Sequence, residues 1–485
     1  MREKFTDSLK VYGIDVFAFF LVLLTLPLFL YKLGQSSLVS FDEAWYADIA
    51  RNILKTKDPI NLIWNGRVFI DHPPGGFLLT AASYLVFGIT EFSTRFSSAT
   101  LGFFTLICTY LLGKYLFKPI VGIISAIALA GSPWFLFRAR SGNLDVPLTF
   151  FFVLTVYLAL LASENRKYLV LFSLSLAFLF LIKTAVPFTL LPTIVFIFIT
   201  AKKVKLSELK RPFLLFFFLV GGWFLYQGVH QPGFLKHYFK IGLPGVGVET
   251  SFSENLKLMK DYLHNGIGKW FWPGIISLVL GPFTFQKKYW ILSIFFFSFF
   301  TPFLFSQKGH IWQLVPLHPF MIIAFFGFTV LLFDKVADFF LYCSGKLGKR
   351  FRSINGLLST VKFPVIFFGI LVIGFYYSYL QIKRDWYEFI DIPAYISDEA
   401  ILSKEAGKFK EKFYIDEDFG PAAIYYSEKN VQQIRNEELN YLFGADEPFV
   451  LITHQWRLDG SGISTDKYEI IKSDRDKILV RRINL

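Results

Sequence analysis

The sequence predicts a mainly α, polytopic transmembrane helical bundle of about 11 spans, with amphipathic surface helices in its first outer loop and a small C-terminal α/β soluble domain. Three observations carry this. Hydrophobic residues make up 54% of the 485 residues and charged residues only 18%, with a mean hydropathy of +0.48, too apolar for an ordinary soluble chain. The 61 Phe sit in long apolar runs without strand-like alternation, which favours spanning helices over a membrane barrel. From about residue 395 the composition turns soluble.

A helix crosses the hydrocarbon core with roughly 20 apolar residues. On that criterion spans fall near 14–33, 96–117, 119–137, 145–162, 168–182, 184–201, 212–228, 270–286, 289–305, 312–333 and 362–381. The first follows Arg2, Lys4 and Lys10 as a signal peptide would, but it is long and Tyr31-Lys32-Leu33-Gly34 offers no small-residue cleavage site, so it reads as retained. Every second connection is basic: Lys114 with Lys118, Arg166 with Lys167, Lys202, Lys203 and Lys205 with Lys210 and Arg211, Lys287 with Lys288, and Lys346 with Lys349, Arg350 and Arg352. Basic loops stay in the cytoplasm. The expected arrangement is therefore an integral protein of the plasma (inner) membrane with its N-terminus cytoplasmic. The connections 34–95, 138–144, 229–269 and 306–311 then face outward, as does the tail. The chain divides into a transmembrane part, 1–382, and an extracytoplasmic soluble α/β domain, 383–485, in which the runs 412–415, 449–452 and 478–480 read as strands.

A formal net charge of +13 raises nucleic acid as a partner. The Lys and Arg instead recur in short clusters between apolar segments, as orientation signals and contacts to anionic membrane lipid. Nucleic acid is not an expected partner. Cys108 lies in an apolar run and Cys343 in a basic loop, which gives neither zinc-type spacing nor a disulfide framework.

The polar residues that call for explanation lie on the outer connections. Ser40-Phe41-Asp42-Glu43 precedes an amphipathic stretch with Trp45, Ile49 and Ile53 on one face. On spacing alone it reads first as a capping box, with Asp42 equally an N-cap or a first-turn charge. Asp71-His72-Pro73-Pro74-Gly75 forces an extended, rigid turn at the membrane edge, where a plain surface turn is the simpler account. Arg138, Arg140 and Asp145 gather at a helix junction, where Asp145 is also placed to cap the fourth span. Lys183 interrupts apolar sequence; an ionisable group there is costly unless it is paired or snorkels, so a ligand role and snorkelling both stand. Lys308 precedes Pro316 and Pro319, and is either an anchor or a phosphate ligand. Asp71 with His230 and His237 supplies ligand types that a divalent metal ion such as zinc accepts.

Taken in order, these segments resemble the GT-C superfamily of membrane glycosyltransferases, particularly the branch of protein O-mannosyltransferases and lipid A aminoarabinose transferases. The resemblance covers roughly residues 15–335. It rests on Asp42-Glu43-Ala44-x-Tyr46-Ala47, Asp71-His72-Pro73-Pro74-Gly75, Phe87-Gly88-x-x-Glu91-Phe92-x-x-Arg95, Asp145-x-Pro147 and Gln231-Pro232-Gly233-Phe234-Leu235-x-His237, followed by Lys308. His72 stands where the family's pattern has lysine. The resemblance implies a GT-C-like fold and transfer of a sugar from a polyprenyl-phosphate-linked donor to an acceptor hydroxyl or phosphate on the outer face, by inverting displacement. Asp42, Glu43 and Asp145 become the expected catalytic carboxylates. Lys308, Arg138, Arg140, Lys183 and His72 become the expected ligands of the donor phosphate. Such chemistry needs a base for the acceptor, cations for the departing phosphate and access for a lipid tail.

Two other classes fit the composition. A lipid-linked sugar transporter or flippase would carry internal repeats with polar groups at the midplane, and the sequence shows no such repeat. A non-catalytic membrane binding protein would tolerate the loss of Asp42 or Asp145.

Overall fold

The computed structural model describes residues 2–39, 41–201, 203–242, 251–305, 310–346, 352–416 and 420–482. All eleven apolar runs are helical over most of their length. The first is Arg2–Leu23 continued by Leu26–Leu30 after a break at Leu24 and Thr25. Next comes Glu91–Leu116, which opens on a capping box: Thr90 Oγ1 accepts from the Ser93 N–H at 3.2 Å and Ser93 Oγ from the Thr90 N–H at 2.9 Å. Asp145–Glu164, Leu169–Phe180, Leu191–Ala201 and Gly222–His230 follow, then Phe271–Leu280, Lys287–Leu304, His318–Lys346 and Arg352–Asp385.

Among the described residues, five helical stretches are long and apolar enough to cross a membrane: Gly13–Leu30, Glu91–Leu116, Asp145–Glu164, Ser207–His230 and Ile311–Val336. A sixth is the run read as one span at 119–137, but it is not straight. Pro119–Ala130 and Pro133–Ala139 meet at 70°. Gly131 and Ser132 interrupt the helix, and Pro133 has no N–H to continue its ladder. Length and composition thus support five or six spans where the sequence predicts about eleven. The connection 229–269 also differs from a plain loop, for it contains the helices Phe234–Gly242 and Phe252–Ile267.

The connection 34–95 carries the helices Asp42–Thr56 and Gly75–Phe87, joined through a hairpin of β1 (Ile63–Trp64) and β2 (Arg67–Val68). Its Asn65-Gly66 turn takes positive φ at both residues (50° and 73°), the twist that a two-residue hairpin requires.

The C-terminal strands are β3 (Lys412–Asp416), β4 (Val431–Ile434), β5 (Phe449–His454), β6 (Tyr468–Asp474) and β7 (Lys477–Arg482). They form one sheet in the order β4-β3-β5-β7-β6. β3 runs parallel to β4 and β5, whereas β7 is antiparallel to β5 and β6. Helix Gly420–Ser427 of this region packs on Asp42–Thr56. Arg51 is buried there, paired with Asp48, and donates to the Tyr425 carbonyl at 2.6 Å. The amide of Asn65 exchanges two hydrogen bonds with the backbone of Val431, at 2.8 and 2.7 Å. The Asp42–Thr56 helix is therefore held between the bundle and the helix Gly420–Ser427, not free on a lipid surface. For the same reason the sheet stands on the same side of the bundle as residue 42.

Glu91–Leu116 and Pro119–Ala130 cross at backbone contact. A Cβ on Gly122 would stand 2.3 Å from the Tyr110 carbonyl oxygen and 3.0 Å from the Lys114 nitrogen, so only glycine permits the crossing. Gly122→Val should push the two helices apart at a cost of about 1–3 kcal/mol or more, read as a lower melting temperature in detergent. Gly222→Ala, whose Cβ meets nothing within 4 Å, should leave melting unchanged or slightly raised.

Candidate active site

Four charged side chains meet where the helices end on the outer-loop side. Arg138 closes the short arm Pro133–Ala139, so the 70° bend that interrupts the third run is what delivers it here. Asp145 opens Asp145–Glu164, and its N–H is taken by Asn143 Oδ1 at 2.9 Å. Lys183 follows the end of Leu169–Phe180. Asp42 is the first residue of Asp42–Thr56.

Arg138 lies between the two carboxylates. Its Nη2 donates to Asp42 Oδ2 at 2.9 Å and to Asp145 Oδ2 at 2.6 Å, and its Nε reaches Asp145 Oδ2 at 3.0 Å. Lys183 Nζ donates to Asp145 Oδ1 at 2.8 Å. Two anions thus face two cations, the balance that a poorly hydrated edge demands. Lys183 is paired rather than snorkelling. The carboxylates are unequal: the Asp145 side chain is 2% exposed with both oxygens engaged, whereas that of Asp42 is 31% exposed and bonded to Arg138 through one oxygen.

Neither aspartate caps its helix. The N-cap residues are Phe41 and Leu144, and neither makes a side-chain cap bond. Phe41 takes φ 76° and ψ −127°, a backbone region that costs a non-glycine residue on the order of 1–3 kcal/mol. That strain sits immediately before the one half-exposed carboxylate of the group. Ser40, the first residue of the expected capping box, lies outside the described residues.

Glu43 points elsewhere. Its two oxygens receive Arg95 Nε and Nη2 at 2.7 and 2.9 Å, the Gly142 N–H at 2.8 Å and the Val39 N–H at 2.9 Å. Burial by itself would raise its pKa, but the Arg95 charge and these hydrogen bonds overcome burial and hold the carboxyl below its ordinary value. Arg140 is likewise committed: it donates to the carbonyls of Leu28, Tyr31, Phe389 and Ile390 at 2.6 to 3.0 Å, which ties the first span to the end of the last helix. Both stand outside the group of four, where Glu43 is expected from the resemblance as a catalytic carboxylate and Arg140 as a ligand of the donor phosphate.

The Asp71–Gly75 turn closes another side. The Gly75 N–H donates to the Leu181 carbonyl at 2.7 Å, and a Cβ on Gly75 would stand 2.7 Å from that oxygen, so glycine lets the turn seat against the Lys183 segment. His72 is buried, with its ring edge-on to Tyr46 and Phe69. Burial, helped by the positive charge of Lys183, pushes its pKa down to about 3, so the imidazole is neutral. It offers no charge for a phosphate, unlike the lysine of the family's pattern. Tyr46 lies among the acids: burial and the charges of Asp42 and Asp145 keep its phenol protonated.

The expected metal set does not assemble. His237 Nε2 meets Asp71 Oδ1 at 2.6 Å, but His230 is stacked on Tyr226 with its Nδ1 2.8 Å from the Tyr226 carbonyl oxygen. Among the described residues no three His, Cys, Asp or Glu side chains are placed to hold a metal ion. Lys308 lies outside the described residues.

Two contributors were not foreseen. The guanidinium of Arg138 stands 5.3 Å over the Trp312 ring, itself stacked on Trp134 and His310. Arg95, quoted in the sequence only within a motif, is the partner of Glu43. Nothing in the local sequence singles out Trp312, since its role depends on a bend nearly two hundred residues earlier.

Breaking the Glu43–Arg95 pair should test its structural weight. Glu43→Gln leaves Arg95 buried without its counter-charge, an expected loss of about 3–5 kcal/mol. Because the folded pKa of Glu43 is depressed, its contribution is complete above the unfolded value of about 4.3 and is lost as pH falls through the folded value. Melting curves of wild type and Glu43→Gln should therefore differ most near neutrality and converge in acid.

Residues 71–224 match a protein-family model described as dolichyl-phosphate-mannose-protein mannosyltransferase. An uncharacterized protein of Aquifex aeolicus (strain VF5) is 34% identical over 232 residues, which are 46% of this chain and 46% of that protein, so the match spans about half the length of the relative. ArnT from Cupriavidus metallidurans in the apo state has the same fold, with a TM-score of 0.71 and 15% identity over 98% of this chain and 99% of that one. ArnT bound to undecaprenyl phosphate matches with a TM-score of 0.72 and 15% identity, over 96% and 98% of the two chains. The Archaeoglobus fulgidus oligosaccharyltransferase in complex with Zn and sulfate matches with a TM-score of 0.57 and 12% identity, over 89% of this chain and 67% of that one. Segment match and fold together support the resemblance read from the sequence: this chain has the fold of ArnT, and its residues 71–224 carry the match to the mannosyltransferase family.

Proposed function

We propose that the protein transfers a sugar from a polyprenyl-phosphate-linked donor to a hydroxyl or phosphate of an acceptor on the outer face of the plasma membrane. The observation that carries this is the Asp42–Arg138–Asp145–Lys183 group at the ends of the helices, with one carboxylate open and one closed. The ArnT neighbour bound to undecaprenyl phosphate supports a polyprenyl carrier. The N-terminus is then cytoplasmic, and the C-terminal region, whose helix Gly420–Ser427 packs on the Asp42 helix, belongs to the extracytoplasmic face.

In this reading Asp42 is the general base. An acceptor hydroxyl attacks the anomeric carbon from the side opposite the phosphate, its proton passes to the open Asp42 carboxylate, and the C–O bond to the phosphate breaks with inversion. The electron pair leaves with the phosphate, whose charge needs cations. Lys183 and Arg138 are at hand, and Lys308 is the further candidate. Asp145, buried between Arg138 and Lys183, positions both cations. Glu43 supports catalysis by fixing the helix that carries Asp42.

Asp42→Asn keeps the shape and the Arg138 contact but cannot take a proton. Transfer to the native acceptor should fall by about 10²–10⁴-fold, with carrier binding and melting temperature retained. Near-wild-type turnover would remove Asp42 from the role of base. Lys183→Met, in contrast, should weaken carrier binding as well as turnover, measured with labelled polyprenyl-phosphate sugar. Unchanged carrier binding would confine Lys183 to a structural partnership with Asp145.

A further inference from the structure

At the far end of the bundle a cavity of ≈ 370 Å³ opens between helix ends, within the roughly 300–1,000 Å³ range of ligand pockets. Two of its helices start at the active-site end. Glu91–Leu116 carries Arg95 near its start and Tyr115 and Leu116 at the cavity; Asp145–Glu164 begins with Asp145 and ends in the cavity with Glu164. With 26 and 20 residues these helices are about 30–40 Å long, a full hydrocarbon core. The cavity therefore lies at the headgroup level of the leaflet opposite the active site.

Its charge is lopsided. Lys203, Lys287 and Lys288 line it, against the single carboxylate of Glu164. Two neighbouring lysines at this end have acidic partners: Lys114 is paired with Asp15 at 2.5 Å and Lys118 with Asp334 at 2.5 Å. Among the described residues, none of the three cavity lysines forms an ion pair. Lys287 Nζ donates to the Ile197 carbonyl at 3.4 Å and feels the Glu164 charge from beyond ion-pair distance, and Lys288 Nζ stands 4.4 Å over the Phe117 ring and feels Asp334 in the same way. Both are half-buried, so water compensates their charge incompletely. Thr200 adds a hydroxyl, while Leu160 and Ile291 make the wall apolar. A free phosphate has no use for such a wall, whereas the glycerol and first acyl carbons of a lipid do.

We propose that this cavity binds the phosphate headgroup of an anionic phospholipid from the leaflet opposite the active site. The lysines take the phosphodiester and the apolar wall takes the lipid's upper chain, as basic pockets between membrane helices do. The site is separate from sugar transfer, and its test does not depend on it.

The full-length protein is reconstituted in nanodiscs of phosphatidylcholine with a minor fraction of phosphatidylglycerol, and the phosphatidylglycerol retained per protein is counted by native mass spectrometry. Wild type should retain phosphatidylglycerol in preference to phosphatidylcholine. The triple variant Lys203→Gln, Lys287→Gln, Lys288→Gln should weaken that retention by roughly 10–100-fold. Glu164→Gln, which removes only the repelling charge, should strengthen it. Excess inorganic phosphate should leave the lipid in place. Unchanged retention in the triple variant overturns the proposal; if that variant does not fold, unchanged retention in Glu164→Gln does so. Displacement by inorganic phosphate also overturns it, because the cavity would then be a site for soluble phosphate.

Discussion

The carboxylate of Glu43 is where three separate pieces of chain are fastened together. It holds the start of the Asp42–Thr56 helix, receives Arg95 from the first turns of Glu91–Leu116, and takes the Gly142 N–H from the junction that carries Arg138 and Asp145. Arg95 spends its remaining donors on the carbonyls of Leu33, Ser36 and Ser37, so the end of the first span is tied in as well. A buried ion pair repays its desolvation only when every lone pair and proton is satisfied, and here the hydrogen-bonding is dense enough to do so. Asp42 is the next residue along the chain. With Glu43 immobile, the Asp42 side chain is directed at Arg138.

Neighbouring carboxylates thus divide the work by environment. Glu43 is enclosed and saturated, Asp145 is enclosed between two cations, and Asp42 is left open on one side. Proton transfer needs an accessible carboxylate whose position is fixed, and among these three only Asp42 combines the two conditions. The bent helix pair is the geometric device behind this. A straight span through 119–137 would leave Arg138 on its own axis, whereas the 70° turn at Gly131-Ser132-Pro133 swings it across to both aspartates and over Trp312.

The C-terminal region, helix and sheet together, belongs to the same construction. Through Arg51, Asn65 and Tyr426, whose hydroxyl accepts the Leu38 N–H at 2.6 Å, it clamps the outer side of the loop that carries the acids. Burial of Asp48 and Arg51 makes physical sense only with that cover in place, since an exposed amphipathic helix would keep both in water.

Much of this was available from residue patterns. Helical character, the apolar runs and the turn-forming Asp71–Gly75 segment follow from local chemistry; Lys183 stood out because a charge in apolar sequence is costly and calls for a partner, while Asp42, Asp145 and Arg138 stood out through the family's motif order. Who partners whom was not available, because each contact joins segments tens to hundreds of residues apart. Tertiary structure decided that Glu43 fastens while Asp42 faces the open side, that Arg140 binds four carbonyls, that His72 is buried and neutral, and that His230 stays away from Asp71 and His237. It also decided that one apolar run is broken. Hydropathy sums composition over a window and registers Gly131 and Pro133 as two residues among many, whereas the backbone registers the N–H that proline does not have.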